Sequence, residues 1–242
     1  NAQPALMAVS MALIRVLERD GGIVIADKAD FVAGHSLGEY SALAAAGAFG
    51  VADAARLLKT RGKAMQEAVP VGEGAMAALL GLDIDKVAEI AREAAGDEVC
   101  DIANDNSDGQ VVVSGSRAAV ERAVALAGEA GARRSVLLPV SAPFHCALMA
   151  PAADVMQAAL AETSITPPNP RLIANVTADE VTDPDEIRAL LFKQVTGMVR
   201  WRESVLAMKA KGVDTLIEVG SGKVLTGLVR RIDRELTGVS VQ

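Results

Sequence analysis

Ala29-Asp30-Phe31-Val32-Ala33-Gly34-His35-Ser36-Leu37-Gly38-Glu39-Tyr40 is the stretch from which the rest of the chain can be read. Phe31 to Ala33 is a short apolar run that predicts a buried strand, and Ser41-Ala42-Leu43-Ala44-Ala45-Ala46 continues as a helix. Between them, Gly34-His35-Ser36-Leu37-Gly38 fits Gly-x-Ser-x-Gly in the strand–sharp turn–helix context of a nucleophile elbow. A tight turn that lifts Ser36 clear of a sheet needs neighbours without Cβ atoms, which both glycines supply. The helix that follows brings free N–H groups and a positive dipole end to the place where an oxyanion would form. The competing reading is a glycine-rich turn with a buried serine. The flanking strand and helix favour the nucleophile.

Composition narrows the function classes. The 242 residues are 51% hydrophobic and 23% charged, which is globular, and no apolar run approaches the ~20 residues of a membrane span. Only 2% are aromatic, and 31 acidic residues outnumber 24 basic ones. That argues against a nucleic-acid surface, which needs basic grooves and stacking rings. Cys100 and Cys146 are far apart in sequence and lack C-x-x-C spacing, so neither a disulfide framework nor a metal site is expected. Asn175-Val176-Thr177 matches a glycosylation sequon, but nothing resembles a signal peptide. The expected compartment is a reducing cytoplasm.

Along the chain, Pro4 marks the first turn of a helix whose stripe is Leu6, Val9, Leu13, Val16 and Leu17, ended by Asp20-Gly21-Gly22. Asp53 to Gln66 is a further helix. After the turn-rich Pro70-Val71-Gly72-Glu73-Gly74 the pattern changes. Strands are predicted at Ala75–Leu80, Val99–Asn104, Gln110–Ser114 and Ser135–Pro139, with helices at Asp83–Ala95 and Arg117–Ala130. That βαββαβ order is a ferredoxin-like unit, read as an insert. Pro143-Phe144-His145 is expected to open a helix to Ala161. A strand at Arg171–Val176, helices at Asp185–Thr196 and Trp201–Lys211, and a buried strand at Thr215–Val219 follow. Gly220-Ser221-Gly222-Lys223 then leads into a helix. A phosphate-binding loop would need Gly at Ile217 and Ser or Thr at Val224, so that reading is rejected.

A serine nucleophile needs a base, and the chain has two histidines. His35 adjoins Ser36, and consecutive side chains diverge at a turn, so its expected role is structural. His145, in the proline-bounded loop Ser141-Ala142-Pro143-Phe144-His145, is the candidate base. Its neighbour Cys146 reads as a small buried residue rather than a thiol nucleophile.

Several motifs together resemble the malonyl-CoA–acyl carrier protein transacylases of fatty acid and polyketide synthesis. They are Gly34-His35-Ser36-Leu37-Gly38-Glu39-Tyr40-Ser41-Ala42, Arg61-Gly62-Lys63 with Met65-Gln66, and Asn104 and Asn106 before Gly109-Gln110-Val111-Val112. Pro143-Phe144-His145-Cys146-Ala147-Leu148-Met149, Gln194 before Trp201, and Glu218-Val219-Gly220 with Gly222-Lys223-Val224-Leu225-Thr226-Gly227 complete the match. The resemblance implies an α/β fold: a hydrolase-like core with a parallel sheet (residues 1–70 and 142–242) and the ferredoxin-like insert (71–141). It implies a ping-pong S-malonyltransferase in which Ser36 becomes malonylated and His145 is the general base. The main-chain carbonyl of Gln194 would orient the imidazole in place of an acid. Arg61, otherwise a solvated helix charge, would hold the malonyl carboxylate through a bidentate fork. Met65 would line the acyl pocket, the N–H of Leu37 would be an oxyanion donor, and Asn106 would join the substrate-binding set.

The implied partners are malonyl-CoA and acyl carrier protein. No cofactor, metal, nucleic acid or membrane is expected, phosphopantetheine is carried by the partner, and a monomer is the expected state. An acidic carrier protein meeting a chain of net charge −7 would need a local basic patch. Arg133 with Arg134, Lys193, Arg200, Arg202, and Arg230 with Arg231 are the candidates. Family members carry a first strand and a Gly-Gln-Gly motif before the position of Asn1. The expectation is therefore a chain lacking its N-terminal segment, with one oxyanion donor outside it. Two alternatives stand beside the transferase: a serine esterase or acylhydrolase of α/β-hydrolase type, and a catalytically impaired carrier-protein docking domain.

Overall fold

Residues 2–242 are described by a computed structural model. Helix α1 (Ala2–Gly21) turns its Met7, Met11 and Ile14 inward, and a single helical turn, α2 (Ile25–Lys28), leads to strand β1 (Phe31–Val32). Helix α3 (Leu37–Ala45) begins immediately after Ser36, four residues earlier than the alanine-rich run suggested. Helix α4 (Val51–Glu67) packs on α1 and buries Leu57, Leu58, Arg61 and Met65.

The next stretch forms a four-stranded antiparallel sheet carrying two helices. Its elements are β2 (Gly74–Leu80), α5 (Ile84–Ala95), β3 (Cys100–Ser107), β4 (Gln110–Ser116), α6 (Arg117–Glu129) and β5 (Arg134–Leu137). The strand order is β3-β4-β2-β5, so the two strands that flank each helix are not neighbours. Local chemistry explains the boundaries. Asp83 caps α5 by accepting from the Lys86 N–H at 2.8 Å, worth about 1 kcal/mol. The helices lay Val87, Ile90, Ala119, Val120 and Ala123 on the sheet, where Ala77, Leu79, Val111 and Val113 meet them. Fully burying a Val, Leu or Ile side chain contributes about 1.5–3 kcal/mol.

The chain then returns to the first layer through α7 (Ala150–Ala161), β6 (Arg171–Ile173), β7 (Glu180–Val181), α8 (Pro184–Gln194), α9 (Trp201–Ala210), β8 (Thr215–Val219), α10 (Val224–Ile232) and β9 (Thr237–Val241). β6 pairs parallel with β1 and antiparallel with β7, while β8 and β9 form a separate parallel pair. α8 starts as its sequence dictates: Asp183 caps the Glu186 N–H at 2.8 Å and Pro184 occupies the first turn.

Two expectations are corrected here. His145 does not open a helix. It has φ 58°, Cys146 is extended, a 3-10 turn spans Ala147–Met149, and α7 waits for Pro151 in its first turn. The strand expected at Arg171–Val176 stops at Ile173, because the Ala178 N–H bonds back to the Ala174 carbonyl at 2.9 Å and closes a turn holding Asn175. No helix among the described residues is long and apolar enough to cross a membrane.

The two layers share a main-chain seam. The Asp105 N–H donates to the Val199 carbonyl at 3.0 Å and the Val199 N–H to the Ala103 carbonyl at 2.8 Å. Buried Asp105 also takes Arg202, 2.9 Å from Nη2.

Candidate active site

Ser36 caps α3 with φ 54° and ψ −110°, a conformation that costs a non-glycine residue about 1–3 kcal/mol. The turn is tight on one side only. A Cβ added at Gly34 would lie 2.0 Å from the Gly38 carbonyl carbon and oxygen, whereas one added at Gly38 would meet nothing within 4 Å. Close approach therefore demands Gly34 and not Gly38, which corrects the expectation that both are needed for space.

Ser36 Oγ lies 2.7 Å from His145 Nε2, and His145 Nδ1 lies 2.9 Å from the main-chain oxygen of Gln194. A carbonyl only accepts, so Nδ1 carries the proton and Nε2 is left to accept from the serine hydroxyl. Burial, and then the charge of Arg61, push His145 down to about 3. The imidazole is thus neutral, with the Nε2 lone pair facing the serine hydroxyl. No carboxylate sits on Nδ1, so the buried acid that an esterase reading requires is replaced by a peptide oxygen.

Arg61 is not a solvated charge: it is 1% exposed, and its Cζ stands 5.7 Å from the Tyr40 ring centroid. Nη1 donates to Gln3 Oε1 at 2.8 Å, and Nη2 donates to Gln194 Oε1 at 2.9 Å and to Ser36 Oγ at 3.0 Å. Nε is buried without a partner. Among the described residues every acceptor the fork meets is neutral, so a buried cation faces the serine with no anion from them bonded to it. Met65, one turn along α4 and fully buried, lies against Gln3, whose Nε2 is 3.8 Å from its sulfur. Leu37 is the first residue of α3, where an N–H has no carbonyl one turn back to meet.

Asn106 meets the residue beside the nucleophile. Its Oδ1 lies 2.8 Å from His35 Nε2, and His35 tilts against Trp201 with ring centroids 5.7 Å apart. His35 thus has the structural partners expected of it. Cys146 is buried, bonds the Pro143 carbonyl at 3.1 Å, and has its thiol pushed up to about 11 by burial. Among the basic candidates, Arg200 is paired with Glu203 and Arg202 with Asp105, so both are engaged within the chain. Arg231 reaches across the layers to Gln110 Oε1 at 2.7 Å.

Sequence reasoning missed Gln3, Glu39 and Asn175. Glu39 and Asn175 are each 1% exposed and lie directly behind the elbow. Burial of Asn175 also disposes of the sequon. A buried polar residue on a short helix or turn looks, in a local window, like a surface residue. The only signal available was Glu39 inside the quoted motif.

The buried titratable groups make stability pH-dependent in opposite senses. Burial holds both histidines below the ordinary 6.5, His145 at about 3, so between those values the unfolded chain binds more protons. Their share of stability is full above pH 6.5 and falls as pH drops toward 3. Glu39, pushed by burial from 4.5 to about 7, contributes fully below pH 4.5 and loses that share as pH rises to 7. His145→Gln should therefore lose less stability than the parent between pH 7 and 4.5 in urea unfolding. Parallel stability curves for the two would contradict a buried neutral imidazole.

Comparison with known proteins places this geometry. The acyl transferase domain model matches residues 1–241. The malonyl CoA-acyl carrier protein transacylase of Escherichia coli K12 is 51% identical over 237 residues, covering 98% of this chain and 75% of that protein. The crystal structure of an acyl-carrier-protein-S-malonyltransferase from Bartonella henselae superposes with a TM-score of 0.97 at 58% identity, over 100% of this chain and 76% of that one. A type II polyketide acyl-carrier protein in complex with its malonyl-transacylase matches with a TM-score of 0.95 at 43% identity, over 99% of this chain and 76% of that one.

Proposed function

Since this chain belongs to the malonyl CoA-acyl carrier protein transacylases, a family of acyl transferase domains, we propose that Ser36 and His145 carry its chemistry and Arg61 its selectivity. The reaction transfers a malonyl group from malonyl-CoA to the thiol of acyl carrier protein. The observation that carries the residue roles is the position of Ser36 Oγ, between a neutral imidazole at 2.7 Å and a buried guanidinium at 3.0 Å.

The hydroxyl proton passes to His145 Nε2 as the oxygen attacks the thioester carbonyl. The Gln194 carbonyl on Nδ1 stabilises the imidazolium that forms. The carbonyl oxygen gathers negative charge, which the Leu37 N–H at the start of α3 is placed to meet. Collapse breaks the C–S bond, and coenzyme A leaves as a thiol with the proton from His145. The carrier-protein thiol then gives its proton to His145 and attacks the malonyl-serine; the ester C–O bond breaks, the acyl group stays on sulfur, and Ser36 Oγ takes the proton back from His145. Arg61 exchanges its contact with Ser36 Oγ for the malonyl carboxylate, which supplies the anion its fork lacks.

The fold reading that accompanies this is a hydrolase-like core, residues 1–70 and 142–242, with a ferredoxin-like insert at 71–141. Its support is the βαββαβ succession with sheet order β3-β4-β2-β5 and the parallel β1–β6 pair beneath the elbow. A cytoplasmic setting accords with two free, buried cysteines. Intact-protein and peptide mass spectrometry after exposure to malonyl-CoA should place one malonyl group on the peptide containing Ser36. An adduct that survives Ser36→Ala would remove Ser36 from its role.

A further inference from the structure

Ser36 holds a backbone conformation that its own helix does not enforce, and side chains from two distant segments grip it. Asn175, in the turn after β6, accepts the Ser36 N–H on Oδ1 at 2.8 Å and donates Nδ2 to the Gly34 carbonyl at 2.7 Å. Gln194, at the end of α8, donates Nε2 to the Ser36 carbonyl at 2.9 Å. Behind both lies Glu39, whose one oxygen accepts from Gln194 Nε2 and whose other accepts the Asn175 N–H at 3.2 Å.

We propose that Glu39 and Asn175 are positioning residues of the acyl transfer. Asn175 locks the elbow backbone, and Glu39 fixes which way the Gln194 carboxamide faces, so that Ser36 Oγ meets His145 and Arg61 together. The argument for Glu39 is one of donors and acceptors. Both Glu39 oxygens are used as acceptors, one by the Asn175 N–H, so the other meets the NH₂ end of Gln194 and leaves Oε1 facing Arg61 Nη2 at 2.9 Å. A reversed carboxamide would set NH₂ against guanidinium and oxygen against both Glu39 and the Ser36 carbonyl. Three unfavourable pairings would replace favourable ones around a cation 1% exposed. Charge supports the arrangement, since Arg61 and Glu39 attract one another within this buried cluster.

The inference rests on Ser36 as nucleophile and Arg61 as partner of the malonyl carboxylate, and the test separates the two. Glu39→Gln keeps the shape but places a donor where both contacts need acceptors; Asn175→Ala removes both grips on the elbow. In the full-length protein, rapid-quench mass spectrometry would follow single-turnover malonylation and acetylation of Ser36, with thermal melting read alongside. Glu39→Gln should slow malonylation by about 10- to 100-fold and acetylation by clearly less, because it disturbs Arg61. Asn175→Ala should slow both by a similar factor without raising KM, because it acts on the nucleophile itself. Folded variants with parental rates would overturn the proposal. So would equal losses for both thioesters in Glu39→Gln, which mark a purely structural carboxylate. If Glu39→Gln does not fold, Asn175→Ala decides the matter by its unchanged KM and lowered rate, or by parental kinetics. A parent enzyme that takes up no malonyl group would overturn the site reading and this proposal with it.

Discussion

Arg61→Ala is expected to lower the preference for malonyl-CoA over acetyl-CoA by about 30- to several-thousand-fold in kcat/KM. The two acyl groups differ by one carboxylate, and shape does not exclude the smaller one, so discrimination must come from a buried cation left unpaired when acetyl binds. Removing one partner of a buried, hydrogen-bonded charge pair costs roughly 2–5 kcal/mol, which sets that range. Arg61 also donates to Ser36 Oγ at 3.0 Å, and losing that bond affects both thioesters alike. The ratio, rather than either rate, therefore isolates the carboxylate. Arg61→Lys should recover little, because a single ammonium lacks the fork that reaches Gln3, Gln194 and Ser36 at once. The measurement is kcat/KM for both thioesters across the three proteins. Equal losses would show that Arg61 supports the fold and not selectivity.

Gly34→Ala should reduce Ser36 malonylation by 10²-fold or more, on the order of what a 1 Å misplacement costs. The added methyl would sit 2.0 Å from the Gly38 carbonyl and 2.6 Å from the Glu39 nitrogen, all of it backbone, so the start of α3 must move. That movement carries Ser36 and Leu37 with it. Gly38→Ala is the internal control, because its methyl enters open space. Comparable acylation by the two alanine variants would mean that the elbow tolerates displacement and the packing argument fails.

Legibility in the sequence followed the range of the physics. The elbow and the βαββαβ run were readable because strand, turn and helix preferences are set by neighbours within a few residues, as with Asp83 at the head of α5. Sequence motifs singled out Ser36 and His145, and the structure brings their side chains together across 109 residues. Arg61 was invisible to periodicity: on α4 it follows Lys59 and precedes Lys63 on a helix rich in exposed charge, and only the family resemblance marked it. Asn175 and Glu39 were missed because what makes them matter is who faces them after folding. The short strands β7 and β9 escaped for a related reason. Two to five residues of mixed burial give little alternation to detect, and β9 exists through its parallel pairing with β8.

The seam between β3 and Val199 has a mechanical consequence. Two main-chain hydrogen bonds and the buried Asp105–Arg202 pair fix one line across both layers. A shift of one layer against the other would have to stretch these bonds, together with Arg231–Gln110 and the Ala147 N–H to Asp101, so the layers are coupled at several points. Asn106, the residue after Asp105, carries that coupling to His35 through a 2.8 Å contact. The residue beside the nucleophile is thereby tied to the four-stranded sheet, so a displacement of that layer reaches the elbow.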